Sequence, residues 1–121
     1  MSKAEKDLVW LHGTVKSPPF SKEARIEAGV LLRKLQQGEK LSLPHSRPMP
    51  TIGRGCHELR VQDRDVTWRI FHYIGADSIV LLEVTDKKSR KTPQRIVDQC
   101  RARLDQYMRQ SGEARPRRNE R

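Results

Sequence analysis

A chain of 121 residues fits one domain and leaves little room for a second. Twenty-five Lys and Arg stand against fifteen Asp and Glu, a formal charge of +10, so a compact state repels itself unless a polyanion covers it. The hydrophobic fraction of 35% allows one core with long polar stretches outside it, and the longest fully aliphatic run, Ile79–Leu82, is far too short to span a membrane.

The opening Met-Ser-Lys-Ala-Glu-Lys-Asp lacks the apolar centre of a signal peptide, so a cytoplasmic location is expected. Leu8 to His12 reads as a short first strand, ended by a turn at Ser17-Pro18-Pro19. From Ser21 to Gln37, Ala24, Ala28, Leu31, Leu32 and Leu35 recur at three- and four-residue steps, and Gly38 ends the pattern, which predicts a helix with one core-facing stripe. Leu41 to Gly55 holds Pro44, Pro48, Pro50, Gly53 and Gly55; an irregular loop is expected there, without a ladder-paired strand.

Three strands are predicted next: Cys56 to Gln62, Thr67 to Ile74 and Ser78 to Val84. The connections Asp63 to Val66 and Gly75 to Asp77 are short enough to require antiparallel hairpins. The third strand, apolar almost throughout, reads as central and covered on both faces. Thr92-Pro93 reads as a helix start, with Thr92 capping the free amides. Ile96, Val97, Cys100, Leu104, Tyr107 and Met108 then mark one face of a final helix. Residues 1–108 are the expected domain, and residues 109–121 a disordered basic tail that either extends contact with a polyanion or is a solvated end. The order strand, helix, loop, three-stranded meander, helix predicts an α+β fold, a small antiparallel-rich sheet packed against helices.

An even-length loop at Asp63 to Val66 pairs Gln62 with Thr67 and sets Arg60 opposite Arg69 on one face. Two opposed cations are unfavourable. Three things could compensate them: a carboxylate such as Glu58, plain solvation, or an anion that is part of the function. In the last case the planar guanidinium groups form a phosphate clamp. Lys87-Lys88-Ser89-Arg90-Lys91 sits just before a helix start that attracts anions; it reads as a solvated loop or as part of the same clamp. Cys56, His57, His72 and Cys100 lack a metal-ligand spacing, so no metal is expected; Cys100 falls on the helix stripe as a core residue, and both thiols are expected free. Trp10, Trp68, Phe71 and Tyr73 are assigned to packing and not to base stacking.

Four segments in this order resemble the HigB-like, phage-related branch of the RelE toxin superfamily, over about residues 8–107. They are Gly29-Val30-Leu31-Leu32-Arg33-Lys34-Leu35-Gln36-Gln37-Gly38-Glu39; Arg47-Pro48-Met49-Pro50-Thr51-Ile52-Gly53-Arg54-Gly55; His57-Glu58-Leu59-Arg60-Val61, with Arg69 following; and Lys87-Lys88-Ser89-Arg90-Lys91-Thr92-Pro93. The resemblance implies a RelE-like fold and a metal-independent endoribonuclease needing no cofactor. It further implies cleavage of mRNA, usually on translating ribosomes, and a helix-turn-helix antitoxin as protein partner. It places Arg60, Arg69 and Lys87 at the reacting phosphate and Lys88, Arg90 and Lys91 on RNA or the ribosome. Such a protein need only align the ribose 2′-hydroxyl and stabilise charge on the phosphorus.

The chain departs from those relatives at Thr85-Asp86, where an aromatic and a small polar residue are usual. It also has no histidine or tyrosine assignable as acid or base; Tyr73, on the face of Arg69, is the residue considered, with packing as its other role. Two other functions fit the charge: a non-catalytic RNA- or ribosome-binding module on the same fold, and a DNA-binding accessory protein. Against the second stands the lack of a helix-turn-helix pattern in two helices.

Overall fold

The computed structural model describes residues 5–11, 20–87 and 90–112. Along the chain run β1 (Asp7–Trp10), α1 (Lys22–Gln36), β2 (Ser46–Pro48), β3 (Cys56–Asp63), β4 (Val66–Ile74), β5 (Ser78–Asp86) and α2 (Gln94–Ser111). The strands form one sheet in the order β1-β5-β4-β3-β2. Among the described residues, the β1–β5 pair is parallel and the other three pairs are antiparallel. The architecture is the α+β, antiparallel-rich one that the patterning predicts.

α1 starts where the Ser21 hydroxyl accepts the Ala24 amide at 3.1 Å. It ends before Gly38, whose φ of 90° is a left-handed value that suits glycine. Glu23 in its first turn and Arg33 and Lys34 in its last suit the helix dipole. Its buried stripe, Ala24, Ala28, Leu31, Leu32 and Leu35, lies on Leu59, Val61, Trp68, Ile70, Ile79 and Leu81. Each of those leucines contributes about 1.5–3 kcal/mol by leaving water. On the opposite face of the sheet, Ile96, Val97, Cys100, Leu104 and Met108 of α2 pack on Cys56, Phe71, Tyr73, Val80 and Leu82. β5 lies between β1 and β4, and its first five residues are buried, as its apolar run predicts for a central strand. One irregularity interrupts the β4–β5 ladder: Phe71 pairs with Glu83 and His72 with Leu81, so Leu82 is an extra residue that bulges.

Several expectations need correction. The segment predicted as a pure loop contains β2, which pairs with β3 through Ser46, Arg47 and Pro48. A proline is tolerated there because β2 is the edge of the sheet. Thr92 does not cap α2: Pro93 occupies the cap position without a side-chain hydrogen bond, and the Thr92 hydroxyl accepts instead from Arg69. α2 continues past Met108 through Ser111, three residues into the expected tail, and stops at Gly112 with φ 74°. The turn between β3 and β4 is tighter than expected, only Arg64 and Asp65, because Asp63 and Val66 still pair. The Asp63 carboxylate accepts from the Ser21 amide (2.8 Å) and the Trp68 indole (2.9 Å), tying that turn to the start of α1. Trp10 is exposed on β1, whereas Trp68, Phe71 and Tyr73 take the core positions assigned to them. Cys56 and Cys100 are free and buried, and burial pushes both thiols up to about 12. His12, the Ser17-Pro18-Pro19 turn, Lys88, Ser89 and residues 113–121 lie outside the described residues.

Candidate nucleic-acid interface

β3 pairs with β4 in the predicted register, Gln62 with Thr67 and Arg60 with Arg69. Strand alternation puts Arg60 and Arg69 on the α2 side, and Arg69 pairs onward with Thr85 of β5. One step along, Arg47 of β2 pairs with Glu58 of β3 and Glu58 with Phe71 of β4. Two adjacent cross-strand rows thus gather Arg47, Glu58, Arg60 and Arg69.

The two central arginines share a face but not an environment. Arg69 is 1% exposed, and its Nε–H donates to Glu58 Oε2. Its Nη2 donates to the Thr92 hydroxyl at 2.5 Å, and its guanidinium carbon lies 5.2 Å from the centre of the Phe71 ring. Arg60 retains a quarter of its side-chain exposure, with its Nε 3.7 Å from Glu58 Oε1. That Nε is buried without a hydrogen-bond acceptor. Of the compensations open at the sequence level, the carboxylate is present: Glu58 engages Arg69 as a closed arginine, while Arg60 stays partly open. Arg69 has no exposed surface to offer a phosphate.

Sequence reasoning missed Arg47, because the segment around it was expected to be irregular. Its Nε–H donates to Glu58 Oε1 at 2.8 Å, and a third of its side chain is exposed. Glu58 itself is fully buried. Burial alone would raise its pKa, but hydrogen bonds from Arg69 and Arg47, reinforced by their charges, hold it below the usual carboxylate value. Among these four side chains, one carboxylate therefore faces three guanidinium groups, and the excess is positive; Glu83, at the β5 end of the Glu58 row, is itself paired with Arg103 of α2.

That excess adjoins the start of α2. The Arg69–Thr92 bond fixes the segment before the helix, and the first turn of α2 carries no acidic residue. The start of α2 therefore lies next to Arg69, with no acidic side chain in its first turn to oppose an anion. Lys87 donates its backbone N–H to Thr67 at 2.7 Å, which places it one row beyond Arg69. Arg90 and Lys91 are exposed just before the helix; Lys88 is outside the described residues. Tyr73 is buried in the α2-side core, a packing position. A separate concavity of about 490 Å³ lies between the C-terminal end of α1 and the sheet, lined in part by Lys6, Leu35, Lys40 and His57. None of the predicted site residues lines it.

The family described as Phage derived protein Gp49-like (DUF891) matches residues 19–105, from just before α1 into the second half of α2. The chain belongs to the Gp49-like family. This is a phage-derived, toxin–antitoxin-related family, and the matched span contains all four residues of the arginine–carboxylate cluster and the whole Lys87 to Lys91 run. No curated protein matches the chain. Among the described residues of this Gp49-like protein, no helix is long and apolar enough to cross a membrane.

Proposed function

We propose that this Gp49-like protein is the toxin of a type II toxin–antitoxin pair, an endoribonuclease of the RelE/HigB kind that cuts mRNA on the ribosome and is restrained by a helix-turn-helix antitoxin. The observation that carries the reading is the surplus of fixed cations on the α2 side of β2, β3 and β4, next to a helix start with no acidic residue in its first turn. Arg60 and Arg47 are the open phosphate ligands. Lys87 follows β5 and is tied through its backbone to Thr67 of β4, Arg90 and Lys91 extend the basic surface towards RNA or the ribosome, and Lys88 of the same run is assigned to RNA with them. Arg69 acts from within, holding Glu58 and Thr92 in place.

The chemistry needs no metal. The ribose 2′-oxygen attacks the adjacent phosphorus while the P–O5′ bond breaks, leaving a 2′,3′-cyclic phosphate on one fragment. The 5′-oxygen leaves with a proton, and the 2′-hydroxyl proton passes to solvent or to an RNA group. Guanidinium groups stabilise the charge that builds on the non-bridging oxygens, the step for which fixed donors in a partly desolvated site are best suited.

One observation favours a second reading, RNA binding without cleavage: Glu58, the carboxylate of the cluster, is held ionised and saturated by arginines and is therefore a poor proton acceptor. Incubating the purified protein with mRNA, alone and on programmed ribosomes, and mapping 5′ ends separates the two. Discrete new ends carrying 5′-hydroxyls are expected; tight binding with no new ends would establish the second reading.

A further inference from the structure

We infer that Glu58 is the positioning residue of the phosphate site and that Arg47, on the edge strand, is its second open cation. This assignment rests on the ribonuclease reading. Neutralising a buried carboxylate needs one guanidinium, and Arg69 supplies it: it takes Oε2 and is closed to solvent. Arg47 and Arg60 are then surplus to the needs of Glu58. Both address its other oxygen, Arg47 by a hydrogen bond of 2.8 Å and Arg60 at 3.7 Å. The four side chains carry one negative and three positive charges, a net +2 at a place where two of the three cations reach solvent.

Such an arrangement costs like-charge repulsion that a structural ion pair would avoid by leaving Arg47 and Arg60 out. It has a use if the cations must be held at fixed separation before an anion arrives. Each long arginine side chain otherwise loses rotamer freedom at the moment of binding, and a shared carboxylate oxygen removes much of that loss beforehand. The register supports this order: Arg47 and Glu58 are direct cross-strand partners, and Arg60 lies two residues along the same strand face. Arg60, whose Nε has no acceptor, is the cation least saturated by the protein, and the quarter of its side chain that reaches solvent is what can meet a phosphate oxygen.

The Glu58→Gln variant discriminates this role from simpler ones. Removing the charge makes the cluster more positive, so attraction for RNA is preserved or strengthened; losing the shared anionic oxygen frees Arg47 and Arg60, so cleavage slows. The expected result with a single-stranded RNA oligonucleotide is a KM equal to or below that of the parent protein and a kcat at least about 10-fold lower. The thermal transition is retained. In ¹⁵N spectra, the Nε–Hε signals of Arg47 and Arg69 should be protected in the parent protein and lose that protection in Glu58→Gln. If Glu58→Gln does not fold, Arg47→Ala at the exposed edge takes its place, with about 10-fold weaker RNA binding and an unchanged melting temperature expected. Glu58→Gln with unchanged kcat, or Arg47→Ala binding RNA like the parent, would overturn the assignment. A parent protein that neither binds nor cuts RNA would overturn the ribonuclease reading first, and this role with it.

Discussion

On the α1 side of the β3–β4 hairpin, Leu59, Val61, Trp68 and Ile70 close a dry core; on the α2 side, the same two strands carry Glu58, Arg60 and Arg69 beside the start of the helix. The register is common to both faces, so what differs is the cover. α1 lays its apolar stripe over its side of the hairpin, whereas α2 reaches Cys56, Phe71 and Tyr73 and begins only at Gln94, next to the arginine row. Side chains beyond that cover must satisfy charge instead of filling volume. The hairpin is held on one side by burial and on the other by a carboxylate that binds more cations than it can neutralise.

The sharpest way to break this contrast is to remove one member from each face. Leu59→Ala should cost about 2–5 kcal/mol by opening a cavity. Arg69→Ala should cost a similar amount, about 3–5 kcal/mol, because Glu58 keeps its charge in a buried site without its closest partner. Urea unfolding measures both. An Arg69→Ala protein as stable as its parent would mean that the arginine is not an internal anchor.

Acid separates the faces next. His72, on the α1 side, is fully buried, and burial pushes its pKa down to about 4. Below about pH 6.5 the unfolded chain takes up a proton that folded His72 refuses, so stability is complete above that pH and falls by about 3 kcal/mol as pH drops towards 4. His72→Phe should flatten this part of the urea-unfolding profile. Glu58 acts in a lower window: its depressed pKa gives stability that is present above its ordinary value of 4.5 and lost as pH falls through the folded value.

Arg60→Ala should alter stability by no more than about 0.5 kcal/mol, since the residue is partly solvated and relieves repulsion when removed. An Arg60→Ala protein destabilised as much as Arg69→Ala would erase the difference between open and closed arginines. An effect of opposite sign is expected on α1: a Cβ at Gly29 meets nothing within 4 Å, so Gly29→Ala should raise stability by about 0.5–1 kcal/mol in thermal unfolding.

Much of the fold is legible in the sequence because local signals agree with the tertiary outcome. The stripe Ala24 to Leu35, Gly38 and the apolar run of β5 each point to the element that forms. The Arg60–Arg69 pairing follows from strand period and turn length alone. What is hidden is the identity of partners across the sheet. β2 is a three-residue edge strand inside a proline-rich stretch, so nothing local announces that Arg47 faces Glu58. Nor does a sequence tell that the Thr92 hydroxyl, a natural helix cap, is taken by an arginine from β4. The difference between Arg60 and Arg69 depends on where α2 begins relative to their row, a distance that periodicity does not encode.

The central claim is that Arg47 and Arg60, tethered to a buried carboxylate, contact RNA phosphates. Its most direct test is the salt dependence of binding to a single-stranded RNA oligonucleotide by the parent protein and by Arg60→Ala. The account predicts weaker binding and a log–log slope shallower by about 0.7, the loss of one phosphate contact. Superimposable affinities and slopes would contradict it.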